Sequence, residues 1–99
     1  MLRHIVTWKY KDGFTEDENK KNALKMKSEL EALKHSIEEV IELEVHINEL
    51  SSSNMDIMLD SLFENEETLR AYKDHPEHLR VSEYVTSVMQ NRAAFDYFE

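Results

Sequence analysis

Residues 41–63, IELEVHINELSSSNMDIMLDSLF, decide the fold. Ile41, Leu43, Val45 and Ile47 alternate with Glu42, Glu44, His46 and Asn48, a period of two that marks a strand with one buried face. The patch Ser51-Ser52-Ser53-Asn54 has the length and chemistry of a connecting loop. From Met55 to Phe63 a further strand is expected, with Ile57, Leu59, Ser61 and Phe63 on one side. Met58 and Leu62 share its other side with Asp56 and Asp60. Two consecutive strands thus stand in the middle of the chain, and the elements on either side set the architecture.

Upstream, Leu2, His4, Val6, Trp8 and Tyr10 fall on one side of an extended segment, and Arg3, Ile5, Thr7, Lys9 and Lys11 on the other. Asp12-Gly13 ends this strand, glycine supplying the backbone freedom of a turn. Thr15 and Glu18 form a capping box that opens a helix. Ala23, Met26, Leu30, Leu33 and Ile37 make its apolar stripe. Glu16/Lys20, Asp17/Lys21 and Lys27/Glu31 are opposite charges four residues apart. The lysines at 20, 21, 25 and 27 are therefore expected on a solvated face, with His35 as a favourable charge near the helix end and His46 facing solvent.

Downstream, Asn65 caps a helix whose first turn holds Glu66 and Glu67, favourable at the positive helix end. Leu69 and Tyr72 point inward. Pro76 interrupts this helix and suits the first turn of the next, where His78, Val81, Val85 and Val88 follow the helical period. Phe95-Asp96-Tyr97-Phe98 reads as a short closing strand. The order β-α-β-β-α-β predicts an α+β protein, a ferredoxin-like split sheet with both helical segments on one face. Ile5, Thr7, Met58 and Leu62 would leave the other face exposed and apolar. A homodimer with sheets face to face would cover them.

The 99 residues carry 12 basic and 21 acidic side chains, a formal net charge of −9, with one glycine, one proline and no cysteine. One domain, 1–99, is expected, with no linker-like segment to divide it. A disulfide scaffold or thiolate metal site needs cysteine, and a phosphate-cradling glycine loop needs more than Gly13. The acidic balance argues against nucleic acid as a partner. No apolar run is long enough for a membrane span, and MLRHIVTWKY reads as a strand, not a secretory signal, so a soluble cytoplasmic protein is expected.

The most concentrated chemistry is Tyr72-Lys73-Asp74-His75-Pro76-Glu77-His78. A bend at Pro76 can turn the polar tips of Tyr72 and His78 into one pocket. There a neutral imidazole would accept a proton and a phenol would donate one. The same segment also reads as a helix break with a capping histidine. His75 and His78 with His4 nearby could suggest a divalent metal, but no Glu follows in a metalloprotease pattern and Pro76 disturbs the helical geometry that their spacing of three requires, so no metal is expected. His4 points to the side of Val6 and Trp8, as a cavity residue or a hydrogen-bonded strand residue. Trp8, Tyr10, Phe63, Phe95 and Tyr97 could line a cavity, but most are expected in the core.

These pieces in order resemble the stress-responsive dimeric A/B barrel domain family. The match runs through His4-Ile5-Val6, Lys9 to Gly13, Thr15-Glu16-Asp17-Glu18, Phe63 to Glu67, Ala71-Tyr72, His75-Pro76-Glu77-His78 and Phe95-Asp96-Tyr97, over essentially the whole chain. The resemblance implies a dimeric α/β barrel of ferredoxin-like protomers. Plant polyketide cyclases of this family promote an intramolecular aldol condensation without a cofactor. A histidine and a tyrosine matching His78 and Tyr72 act as their acid–base pair, and a strand histidine matching His4 lies in the cavity. That implies catalytic roles for His78 and Tyr72 here, with His4, Trp8, Leu59 and Phe63 against a small organic substrate. The loop after the first helix lacks the family's common Pro-Gly, and the substrate does not carry over. Two alternatives stand beside this reading. One is a ligand-binding or stress-related dimer without turnover, and the other a monooxygenase or haem-degrading enzyme on the same barrel.

Overall fold

A computed structural model describes residues 1–99. The elements are β1 (Leu2–Tyr10), α1 (Glu16–Ser36), β2 (Glu42–Ile47), β3 (Ile57–Phe63), α2 (Glu66–Asp74), α3 (Pro76–Val88) and β4 (Met89–Phe98). The four strands form one antiparallel-paired sheet in the order β2-β3-β1-β4, the ferredoxin-like arrangement. No helix is long and apolar enough to cross a membrane.

Local signals set the helix ends. Thr15 and Glu18 exchange hydrogen bonds at the start of α1, and Asn65 and Thr68 do the same at the start of α2. His75 is the hinge between α2 and α3. It closes one helix and opens the next, its Nδ1 accepting from the Glu77 N–H, with Pro76 in the first turn of α3.

The core lies between the helices and one face of the sheet. Leu2, Val6 and Trp8 of β1 and Leu43 and Val45 of β2 meet Met26, Leu30 and Leu33 of α1 and Val81 and Val85 of α3. Lys27 is not simply a solvated lysine. Its Nζ donates to Glu31 and to the carbonyl of Val45, while the same Glu31 oxygen accepts from the Val45 N–H. β2 is an edge strand, and this pair satisfies the N–H and carbonyl of Val45 on it.

Three expectations need correction. The closing strand is longer than Phe95–Phe98, beginning at Met89 directly after α3. MQNRAA has no alternating pattern, and its residues favour helix. Pairing with β1 overrides that preference, Tyr10 facing Met89 and Val6 facing Ala94. A register shift between Thr7 and Lys9 is accommodated opposite Asn91, whose φ of 54° lies in the left-handed region that asparagine tolerates.

Phe95 and Tyr97, expected in the core with the other strand aromatics, are 69% and 43% exposed. They face Ile5 and Arg3 across the ladder, on the side of the sheet that the helices leave open. Leu62, expected to be exposed on that face, is only 8% exposed. Arg3 and Glu42 are its cross-strand partners on either side. The ion pair between them, 3.1 Å long, spans Leu62, and Asp60 and Glu99 hold the same guanidinium.

Candidate active site

A cavity of about 290 Å³ opens between the helices and the covered face of the sheet, near the lower end of the roughly 300–1,000 Å³ typical of small-molecule sites. His4 and Trp8 of β1 and Leu59 of β3 form its floor; Tyr72, Lys73 and His78 form one wall, and Arg92 of β4 reaches it from the sheet edge. Of the residues singled out from sequence, His78, Tyr72, His4, Trp8 and Leu59 therefore meet in one place. Phe63 does not line the cavity. It is fully buried behind Tyr72, ring centroids 5.0 Å apart, and meets His4 edge-on at 6.4 Å.

The bend at His75-Pro76 brings the rings of Tyr72 and His78 to a centroid separation of 4.5 Å. His78 Nδ1 lies 3.0 Å from the carbonyl oxygen of Lys73. A carbonyl only accepts, so Nδ1 must carry the proton. In the neutral ring Nε2 is then the free acceptor. Burial is the main influence lowering the His78 pKa below its usual 6.5. The Lys73 carbonyl opposes it, while the neighbouring His4, Arg92 and Lys73 reinforce it through charge. Tyr72 is 1% exposed, and its hydroxyl makes no hydrogen bond to the chain. Burial pushes its ionisation well above the ordinary tyrosine range, so it remains a donor.

His4, 2% exposed, has its Nδ1 against the carboxylate of Asp96, its partner across the β1–β4 ladder. Burial lowers its pKa despite the opposing pull of Asp96. Two imidazoles in the cavity are thus anchored through Nδ1 and biased toward the neutral form. His75 is committed to capping α3, and no three His, Cys, Asp or Glu side chains stand close enough to share a metal ion. His35 lies in the last turn of α1, and exposed His46 is 3.4 Å from Glu44.

The two cavity imidazoles, His4 buried and His78 half-buried, make stability fall on acidification. Their folded pKa values lie below the 6.5 of the unfolded chain. The unfolded chain therefore binds more protons as pH drops through 6.5, and stability declines from there toward the folded pKa. Urea midpoints measured between pH 7.5 and 5.5 are expected to fall with pH, with a shallower slope in His78→Gln. A parental slope in that variant would remove His78 from this account.

Arg92 and Lys73 were not singled out from sequence. Arg92 lies in the part of β4 that lacks an alternating pattern, and Lys73 stands in the Tyr72–His78 segment with no role that its type or spacing assigns. Only the β1–β4 register and the break at Pro76 bring them to the cavity.

Residues 2–99 match the Stress Responsive A/B Barrel Domain family. A dimeric, ferredoxin-like protein of unknown function from Bacteroides fragilis superposes with a TM-score of 0.91 at 29% identity, covering 97% of this chain and 93% of that one. A dimeric ferredoxin-like protein of unknown function from Thermobifida fusca gives a TM-score of 0.78 at 24% identity, covering 97% and 88%. The hydroxynitrile lyase from Passiflora edulis gives 0.74 at 14% identity, covering 97% and 90%, a likeness of fold alone. No curated protein matches the chain.

Proposed function

Since this chain belongs to the stress-responsive A/B barrel domain family, we propose that it binds a small carbonyl compound and moves a proton at the carbon beside that carbonyl, without a cofactor, as a lyase or cyclase would. The observation that carries this reading is the pairing of Tyr72 with His78 on one cavity wall, 4.5 Å between ring centroids, with His78 Nδ1 committed to the Lys73 carbonyl.

His78 Nε2 takes the α-proton. The C–H electron pair moves into the C–C bond while the carbonyl oxygen becomes an enolate oxygen, stabilised by the Tyr72 hydroxyl. The enolate then either recovers a proton from His78 or attacks a second carbonyl of the same molecule, whose oxygen takes that proton and returns the imidazole to its neutral form. Trp8 and Leu59 supply the apolar surround that excludes water, and His4, held by Asp96, contributes a second polar contact on the floor. The test is α-proton exchange of a ketone panel in deuterated water, comparing the parent with His78→Ala and Tyr72→Phe. The reading requires slower exchange in both folded variants. Binding with no exchange in the parent would leave a ligand-binding protein without turnover.

The working unit we propose is a homodimer joined through the open sheet faces. Phe95 and Tyr97 stand exposed there beside the half-buried Ile5, Thr7 and Met58, and the similar structures from Bacteroides fragilis and Thermobifida fusca are described as dimeric. Covering apolar surface contributes about 25 cal/mol per Å². Light scattering at micromolar concentration is expected to give twice the protomer's 11.8 kDa, with Phe95→Glu shifting the mass toward the monomer. A parental mass of 11.8 kDa would reject the dimer.

A further inference from the structure

The charge around the cavity runs against the charge of the chain. Acidic residues outnumber basic ones 21 to 12, yet the cavity lining includes Arg92 and Lys73 and neither Asp nor Glu. The carboxylate of Asp96, beside the cavity floor, is engaged by His4. Some of the chain's twelve cations find acidic partners, and most do not. Arg3 binds Glu42, Asp60 and Glu99, Arg80 binds Glu29 and Glu77, and Lys27 binds Glu31. Arg92 and Lys73 have no acidic group within 4.0 Å.

Their placement is structural. Arg92 lies on the strand side that Ala94, Asp96 and Phe98 share, which faces the helices beside Val6, His4 and Leu2. Lys73 sits in the last turn of α2, one residue beyond Tyr72, and its carbonyl orients His78. The two cations thus arrive from opposite sides, sheet edge and helix end, at the cavity that holds Tyr72 and His78. A guanidinium presents a planar fork that matches a carboxylate in two parallel hydrogen bonds, and an ammonium adds a mobile point charge.

We propose that the cavity takes a carbonyl compound that also carries a carboxylate, the carboxylate held by Arg92 and Lys73 and the carbonyl lying at Tyr72 and His78. The carbonyl half rests on the acid–base reading above; the carboxylate half rests on the two cations alone. In this arrangement the charged end fixes the ligand's direction, so one α-carbon is presented to His78. Net positive charge beside the enolate oxygen would also favour the charged intermediate over the neutral ketone.

The probes are 4-oxopentanoate and its methyl ester, which share the ketone and differ in the charged end. Titration followed by proton–nitrogen NMR is expected to show the keto acid binding at least tenfold more tightly than the ester, with the preference weakening in added salt. Arg92→Gln should collapse that preference toward unity and Arg92→Lys should restore part of it, thermal midpoints confirming that each variant is folded. Equal affinity for acid and ester, an undiminished preference in Arg92→Gln, or no binding of the keto acid overturns the proposal. Exchange at the α-carbons, read in the same samples, separates the two claims. Arg92-dependent binding without exchange upholds the anion site and defeats the acid–base reading. Exchange that is equally fast for the ester and insensitive to Arg92 does the reverse.

Discussion

His78→Gln is expected to lower α-proton exchange of a bound ketone by about 10²–10⁴-fold, the usual contribution of a positioned general base. Glutamine keeps a donor for the Lys73 carbonyl and much of the side-chain volume, so the fold and the cavity survive while the basic nitrogen is lost. The pH profile carries a second signature. In the parent, exchange should rise as His78 loses its proton, below pH 6.5 because burial lowers its pKa, and then level off. No alkaline decline is expected within the ordinary tyrosine range, because burial keeps the Tyr72 hydroxyl protonated. His78→Gln should lose the acid limb together with the rate. One-dimensional proton NMR of the ketone in deuterated water reads both. Exchange at the parental rate with the acid limb intact would make His78 a structural residue that ties α3 to the end of α2.

The fold was legible where one residue's chemistry determines local geometry. Thr15 with Glu18 opens α1, Asn65 opens α2, and Pro76 allows only a break and restart, all as the sequence predicts. Alternation located β1 and β2 because each buries a single face. It failed for the first half of β4, where Met89 alone is buried and Gln90, Asn91, Arg92, Ala93 and Ala94 have no strand preference, so that only pairing with β1 makes it a strand. The site divides in the same way. Tyr72 and His78 were legible because a proline between them limits how the chain can turn. Arg92 was not, since its role depends on register across the sheet, and an isolated arginine in a helix-favouring stretch carries no local sign of it.

Phe63 shows the reverse, a residue whose type and position suggested contact with a ligand but whose neighbours assign it a supporting role. Phe63→Ala should destabilise the protein by about 3–5 kcal/mol, the range for deleting a buried aromatic ring, a large share of a typical domain's 5–15 kcal/mol. Its ring is fully buried, packed 5.0 Å from the Tyr72 ring and edge-on to His4, so its removal leaves a void beneath two cavity side chains together. Urea denaturation measures the loss, and a cost below 1 kcal/mol would show that the site collapses around the deletion. Phe63→Leu separates support from contact. Leucine fills much of the space and preserves the fold, but it withdraws the aromatic edge and face that orient Tyr72 and His4. The exchange rate at saturating ketone should therefore fall while ketone affinity stays near the parental value. Weaker binding with an unchanged saturated rate would instead return Phe63 to the cavity wall, and Tyr72 would then hold its position without the ring behind it.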